Sequence, residues 1–512
     1  MNVDSTRRWL ALGALAVAML TIGLDVTVLT VALPTLAADL HAGTGALQWF
    51  SSAYTLALAA LMLPFGALGD RYGRKKVLLA ALLLFGVASA ACTFATSPGQ
   101  LIAGRTVLGV AAAAMIPLSL AVLPVLFPGQ EERQRALTVW ITATSVGIPL
   151  GPLVGGWLLR HFWWGSAFLI NVPMVIIGAL AVAALVPESR SANRLPIDLF
   201  GVLLSALGML GLTYGFIRFG EHGWGDPTSW VIVAAGVVGL TIFIWWQRRI
   251  DHPLIDLGLF AVSGFRWGTV FLIVVNFAMF GMFFTVPQYF QAVLGVDPFG
   301  SGLRLLPLIG GLLVGSRFVN GLLSALGVRT VEIIGFALLA AGLGIGALTT
   351  VDSGYGYTAL WITVLGIGMG FVMPAANGQA MGVLTAERSG SGSALLQALR
   401  QAGGTIGVAV LGTVLANQYR AELGPLDREP ISDGVTAGVA VARKLGNADA
   451  LRQVQSAFLG GMGAMLWVCA AICVIAIPLV WFVLPGRSAD SAQAQAASTE
   501  PIPDEPESTH VG

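Results

Sequence analysis

The sequence predicts an all-α membrane protein crossing the bilayer fourteen times. Three observations lead there. Of the 512 residues, 56% are hydrophobic and only 10% charged, where a soluble domain averages about 25% charged. The apolar residues gather into runs of about 20, the length a helix needs to cross roughly 30 Å of hydrocarbon. The turns between the runs divide their Arg and Lys unequally and in alternation, which is how a multi-span chain is oriented.

The first run, 9–31, follows Arg7 and Arg8. Ser-Thr-Arg-Arg-Trp-Leu resembles a twin-arginine signal, but the run is too long for a leader and has no good cleavage site. It is therefore expected to stay as the first span. Runs at 47–69, 77–95, 101–124, 136–159 and 166–186 complete a first group of six. Runs at 199–219 and 229–247 make a separate pair. A second group of six occupies 267–291, 302–325, 331–350, 356–382, 395–418 and 459–484. The expected organisation is thus a first bundle over 1–186, a pair with its linkers over 187–266, and a second bundle over 267–484. That second bundle carries a long external loop at about 419–458. The tail 485–512 is rich in Ala, Ser, Pro and acid, a composition too poor in apolar residues to fold.

One set of turns holds Arg7, Arg8, Arg71, Arg74, Lys75, Lys76, Arg133, Arg135, Arg190, Arg194, Arg248, Arg249, Arg266, Arg329, Arg388 and Arg487. The opposite short turns hold Arg160 and Arg218. The positive-inside rule then places both termini in the cytoplasm.

The turn Gly66-Ala-Leu-Gly-Asp-Arg-Tyr-Gly-Arg-Lys-Lys76 is the most telling segment. Its five charges cannot lie in hydrocarbon, where each costs about 2.5–3.5 kcal/mol. Its glycines, Gly66, Gly69 and Gly73, permit a close helix approach and a sharp turn. The segment resembles the loop signature of the major facilitator superfamily. That resemblance implies two six-helix halves, each made of inverted three-helix repeats. Twelve spans plus two is similar to the fourteen-span drug:proton antiporter branch, with its extra pair between the halves. In that family Asp70, Arg71 and Arg74 act as a conformational gate.

Asp25, in Gly-Leu-Asp-Val-Thr-Val-Leu-Thr-Val-Ala-Leu-Pro, is expected to be the only carboxylate deep in a span, and such a group is a functional candidate. The run 24–34 also resembles the first-helix motif of the fourteen-span branch. Asp25 lies seventeen residues beyond Arg8, or about 25 Å along a helix. Arg105, in Leu-Ile-Ala-Gly-Arg-Thr-Val-Leu-Gly, sits one turn into its own span from the other side and resembles the fourth-helix motif of proton-driven members. The depths match, so the two are expected to pair and to couple proton movement. A fixed pair would oppose proton uptake, so the contact must change during transport. The alternative is a structural acid braced by a structural arginine.

In the fifth span, Gly147-Ile-Pro-Leu-Gly-Pro-Leu-Val-Gly-Gly156 looks like the superfamily's antiporter motif. Pro149 and Pro152 remove backbone donors. Gly147, Gly151, Gly155 and Gly156 offer a smooth face for packing. The resemblance makes the motif a seal against proton leak. Asn171 fits the same family pattern, and an interhelical hydrogen bond explains it equally well. The first helix of each three-helix repeat lines the cavity in the family. This points to Asn276, Phe280, Phe283, Phe284, Gln288 and Gln291 on one span and Trp361, Met373, Asn377 and Gln379 on another. Aromatics with a few amides suit amphipathic ligands, and ordinary helix packing is the competing account of each residue. In the second half, Gly321, Gly327 and Arg329 stand where the gate loop would recur, without its Asp. Arg304, Arg317 and Arg400 lie near span ends and are expected to snorkel.

Other classes fare poorly. Cys92, Cys469 and Cys473 lie within apolar runs and have no ligand partners, so no metal site is expected. All five histidines fall in loops or the tail, and no Walker A sequence occurs. A net charge of +1 gives no field for nucleic acid. The family resemblance implies a monomeric antiporter in the inner membrane of a bacterium. It would have no cofactor, use the proton gradient, and export hydrophobic or amphipathic molecules such as drugs or antibiotics. Export of a lipid or specialised metabolite, and passive facilitation, are the alternatives.

Overall fold

Apolar runs become long helices, even across prolines such as Pro34, Pro64, Pro117 and Pro374, because lipid leaves the backbone no partner but itself. A computed structural model describes residues 5–190, 198–384 and 389–484. We label its long helices α1 (Ser5–Asp39), α2 (Thr44–Tyr72), α3 (Arg74–Thr93), α4 (Pro98–Leu126), α5 (Gln130–His161), α6 (Ser166–Leu185) and α7 (Leu199–His222). There follow α8 (Pro227–Gln247), α9 (Ser263–Val293), α10 (Pro298–Leu326), α11 (Val328–Ala347), α12 (Tyr355–Gly382), α13 (Ser389–Leu423) and α14 (Ala448–Val483). Among the described residues, 13 helices are long and apolar enough to cross a membrane. Helix α5, of 32 residues, is not among those 13. Arg194, Arg388, Arg487 and the tail 485–512 lie outside the described residues.

Helices α1, α2, α4, α5, α9, α10 and α13 overrun their predicted spans at both ends, whereas α3, α6, α11 and α14 end one to three residues short. The clearest correction concerns the external loop. Helix α13 continues to Leu423 and α14 already begins at Ala448, so 424–447 is the whole connection. Even this carries a short helix, Val435–Lys444, whose Val435, Val439 and Ala442 are buried. It also carries Arg428, Arg443 and Lys444, which as part of a long connection do not enter the count of short-turn cations.

Two six-helix groups repeat one packing scheme. In the first, α1 packs on α5 and α6, α4 on α2 and α3, and α3 on α6. In the second, α9 packs on α13 and α14, α12 on α10 and α11, and α11 on α14. Each half has its own large apolar core. Corresponding turns match too: Gly73 (φ 118) between α2 and α3, and Gly327 (φ 79) between α10 and α11. Both occupy backbone conformations that favour glycine.

The halves meet through α2 on α13, α5 on α10 and α1 on α9. Thr405 Oγ1 donates to Thr55 Oγ1 at 2.7 Å, and Gln48 Nε2 donates to the Val408 and Ala409 carbonyls at 3.3 and 3.2 Å. Gln291 Nε2 donates to the Val31 carbonyl at 2.9 Å, and Thr44 Oγ1 to that of Asp433 at 2.8 Å. The Gln291 and Thr44 bonds close the end of the molecule opposite the Gly66–Lys76 turn, termed here the far face; the end with that turn is the basic face. The extra pair is not peripheral at its first helix. Helix α7 lies against α2 and α13, taking hydrogen bonds from Thr413 to Phe216, Asn417 to Phe219 and Arg420 to Glu221.

Candidate functional site

Asp25 and Arg105 meet inside the first half. Their side chains are each 1% exposed and Arg105 Nη1 lies 2.5 Å from Asp25 Oδ2. Helix α1 is apolar around Asp25, so this acid has to find its partners on neighbouring helices. Asn171, near the start of α6, donates Nδ2 to Asp25 Oδ1 at 2.9 Å and to Ser89 Oγ at 2.9 Å. Ser89 in turn donates to the Phe168 carbonyl at 3.0 Å. Arg105 Nε donates to the Phe50 carbonyl at 3.1 Å, and its guanidinium lies 4.4 Å from the Tyr54 ring centroid. Five helices thus contribute, and both carboxylate oxygens are occupied. A buried ion pair persists only with such saturation, because desolvating two charges is costly. The structure brings Asn171 into the pair. Sequence reasoning missed Tyr54 and Ser89, which carry no charge or motif to mark them.

The gate loop is latched within the first half. Arg74 pairs with Asp70 at 2.8 Å and donates Nη1 to the Ala121 carbonyl of α4 at 3.0 Å. Its backbone N–H donates to the Ser189 carbonyl, and Lys75 donates Nζ to the Ala183 carbonyl in α6 and its backbone N–H to Glu188 just after α6. Gly66 faces Pro117, and a Cβ on Gly69 would sit 2.0 Å from Leu118. Arg71 lies over its neighbour Tyr72 instead.

The glycines of α5 serve two contacts. Gly147, Gly151 and Gly155 lie against α1 at Leu20, Thr27 and Val28. Gly156 faces Pro298 and Phe299 of α10, and the Pro152 carbonyl faces Gly302. The same stretch therefore packs its own half and touches the other at the far face. The side chain of Pro149 lies outside the described residues.

The cavity candidates do not come together. Asn276 and Gln288 are buried and donate to carbonyls of their own helix, at Leu272 and Phe284. Trp361 is fully buried, packed on Gly346 of α11, and belongs to the second core rather than a cavity wall. Phe284 and Phe280 pack on the first half's core, while Phe283 and Met373 pack on the second's. Gln291 bridges the halves, and Asn377 is exposed. A 930 Å³ cavity opens at the far face between the ends of α11, α13 and α14, and none of these residues lines it.

A further correction concerns the acids. Glu332, expected outside the deep positions, is 0% exposed in α11 and is bonded by Gln379 Nε2 of α12. Helix α11 starts at Val328, not at 331, which draws Glu332 inside. Arg304 and Arg400 are half-buried, each with its Nε unpaired, rather than simply snorkelled.

The architecture and site can now be set beside known proteins. The family model for the major facilitator superfamily matches residues 15–408. The chain belongs to that superfamily. A tetracenomycin C resistance and export protein from Streptomyces glaucescens is 31% identical, the match covering 93% of this chain and 91% of that protein. The multidrug efflux pump LfrA of Mycolicibacterium smegmatis is 32% identical over 93% and 96% of the two chains. Among solved structures, a bacterial homologue of the lysosomal transporter Spinster shares the fold, with a TM-score of 0.66, 15% identity, and coverage of 94% and 98%. This superfamily protein is a transporter rather than an enzyme, and its relatives are drug-resistance and export proteins.

Proposed function

We propose that this protein is a proton-coupled antiporter that exports hydrophobic or amphipathic small molecules across a bacterial inner membrane by alternating access. It acts as a monomer with fourteen spans, α5 included, and with both termini in the cytoplasm. The observation that carries this reading is the wholly buried Asp25–Arg105 pair, held by Asn171 between helices of one half. A proton arriving at Asp25 removes its negative charge and with it the hold on Arg105. The released arginine then needs new partners, which ties protonation to helix movement. The drug-export relatives support the substrate class, and the tetracenomycin exporter keeps a specialised metabolite among the candidates.

With the basic face inside, the contacts at Gln291, Thr44 and Gly156 close the external side. The test uses proteoliposomes, an imposed pH gradient and a panel of cationic dyes and antibiotics. Wild type should concentrate one or more of these compounds, and Asp25→Asn should not, while remaining folded. Gradient-driven accumulation by Asp25→Asn would remove the coupling assignment. A cysteine at His222 should react with an impermeant reagent in sealed cells and one at Glu188 should not; the reverse would overturn the orientation.

A further inference from the structure

Among the described residues Glu332 is a buried acid, as are Asp25 and Asp198, and its surroundings differ from those of Asp25. It is 0% exposed and forms no ion pair among the described residues. Helix α12, against which it packs, has no charged residue. Helix α14 brings only the thiols Cys469 and Cys473 within its buried length; Asp449 and Arg452 lie at its far-face end. On α10, Arg317 is exposed. The nearest cation along α11 itself, Arg329, lies over the Trp481 ring at 3.9 Å.

Among the described residues the only polar partner of Glu332 is Gln379, whose Nε2 donates to Glu332 Oε1. Two atoms of this pair are left over, both buried and without a partner among the described residues: Glu332 Oε2 and Gln379 Oε1. Both are acceptors if the acid is ionised, and each then stays unpaired, at a cost of about 1–3 kcal/mol or more. A proton on Glu332 Oε2 supplies the missing donor. A carboxylic acid and a primary amide then form a pair in which every polar atom is used.

The repeat sharpens this. Glu332 follows Gly327 by as many residues as Leu78 follows Gly73, and Leu78 is 0% exposed. Gln379 follows Pro374 by as many residues as Val122 follows Pro117, and Val122 is 0% exposed. Where the first half has a buried leucine and a buried valine, the second has an acid bonded to an amide. Packing alone does not require polar groups there.

We propose that the Glu332–Gln379 pair is a second proton-binding site, which holds its proton at neutral pH in the arrangement seen here. Loss of that proton leaves a bare carboxylate in the α11–α12 contact, so ionisation loosens the packing near the basic face. The proposal rests on burial and pairing, not on Asp25 or on transport.

Infrared difference spectroscopy on purified protein tests it. At pH 7, wild type minus Glu332→Gln should show the carbonyl stretch of a protonated carboxyl, and Asp25→Asn should keep that band. Gln379→Leu, which retains the acid and removes its amide, should shift the band to that of a carboxyl without a hydrogen-bond partner. Raising the pH from about 7 to about 10, across the roughly 8–9 documented for buried glutamates, should release about one proton fewer from Glu332→Gln than from wild type. Absence of the band in wild type at pH 7, or equal proton release from both proteins, overturns the proposal. Should Glu332→Gln fail to fold, an unshifted band in Gln379→Leu overturns the pairing.

Discussion

In the first half, Gly109 lets α4 lie against the Tyr54 carbonyl of α2; in the second, Gly366 lets α12 lie against the Leu308 carbonyl of α10. A Cβ would stand 2.3 Å from the first oxygen and 2.1 Å from the second. From those matched points the halves diverge. Arg105, four residues before Gly109, corresponds to Ile362 before Gly366, and both are buried. Asp25, nine before Pro34, corresponds to Ala278 before Pro287. A void of about 10 Å³ lined by Val275, Ala278, Met279, Leu339, Leu365 and Met369 lies where the second half has no ion pair. The backbone plan is shared because close packing of small residues sets helix distance in lipid. The ionisable chemistry is not shared, and it sits at opposite ends: charged and paired in the first half, an acid with an amide near the basic face in the second.

The largest effect that would break this comparison lies at the deep pair. Arg105→Leu strands a buried carboxylate and should cost about 3–5 kcal/mol. Ile362→Val at the matching place should cost about 0.5–1.5 kcal/mol. Thermal unfolding in detergent measures both, and equal losses would mean that the Asp25–Arg105 contact contributes nothing special. Adding Asp25→Asn to Arg105→Leu should recover part of the loss, since no charge is then left alone.

Next come the two glycines. Gly109→Val and Gly366→Val should each destabilise by about 1–3 kcal/mol or more, because a backbone oxygen cannot move aside as a side chain can. Folded yield by size-exclusion chromatography should fall in both. Tolerance of one and not the other would show that the two contacts are less alike than their distances suggest.

A smaller effect on stability, with a larger one on transport, is expected at the gate. Asp70 is three residues before Gly73, and Ser324 holds that place before Gly327. The Asp70–Arg74 pair is partly exposed, so Asp70→Asn should cost at most about 1 kcal/mol. Transport should nevertheless drop, with ligand affinity largely kept. Ser324→Ala, which loses only a bond to Gly321 in its own helix, should leave both unchanged. Normal turnover with weakened binding in Asp70→Asn would contradict a gate role.

These contrasts also separate what the sequence could tell from what it could not. Apolar runs and charged turns mark spans well, because hydrocarbon excludes charge regardless of neighbours. The depths of Asp25 and Arg105, counted along their helices, bring them to one level, as the structure does. Glu332 escaped because an acid near the predicted start of a span reads as solvated, and three more helical residues before it bury it. The signal was there in the repeat: aligning Gly327 with Gly73 puts Glu332 opposite the buried Leu78. Trp361, Asn276 and Gln288 were placed in a cavity by the family resemblance, which names the helices that line it but not which of their residues face inward. The folded connection at 424–447 was hidden by its polar composition, although Val435, Val439 and Ala442 recur at helical spacing.

The smallest expected effect belongs to the α7–α8 hairpin, which neither half duplicates. Asp226 caps α8 at the far face, outside the spans. Its Oδ2 accepts from Ser229 Oγ at 2.5 Å, from Arg218 Nε at 2.8 Å and from Ser229 N at 3.0 Å. These donors, the Ser229 hydroxyl first, hold the carboxyl down at about 2 against an ordinary 3.8. A depressed carboxyl contributes stability that is fully present above its unfolded value and lost as pH falls through its folded value. The cap should therefore weaken between about pH 4 and about pH 2 and be indifferent to pH above that window. Hydrogen exchange at 228–230, relative to the intrinsic rate, should quicken in that window in wild type. In Asp226→Asn the same amides should exchange faster at pH 6 than in wild type and show no further acid step. The α4 start is capped by Ser97, which accepts from Gln100 N and does not titrate in this range, so its amides serve as the internal control. A matching acid step there would assign the change to general unfolding rather than to the Asp226 cap.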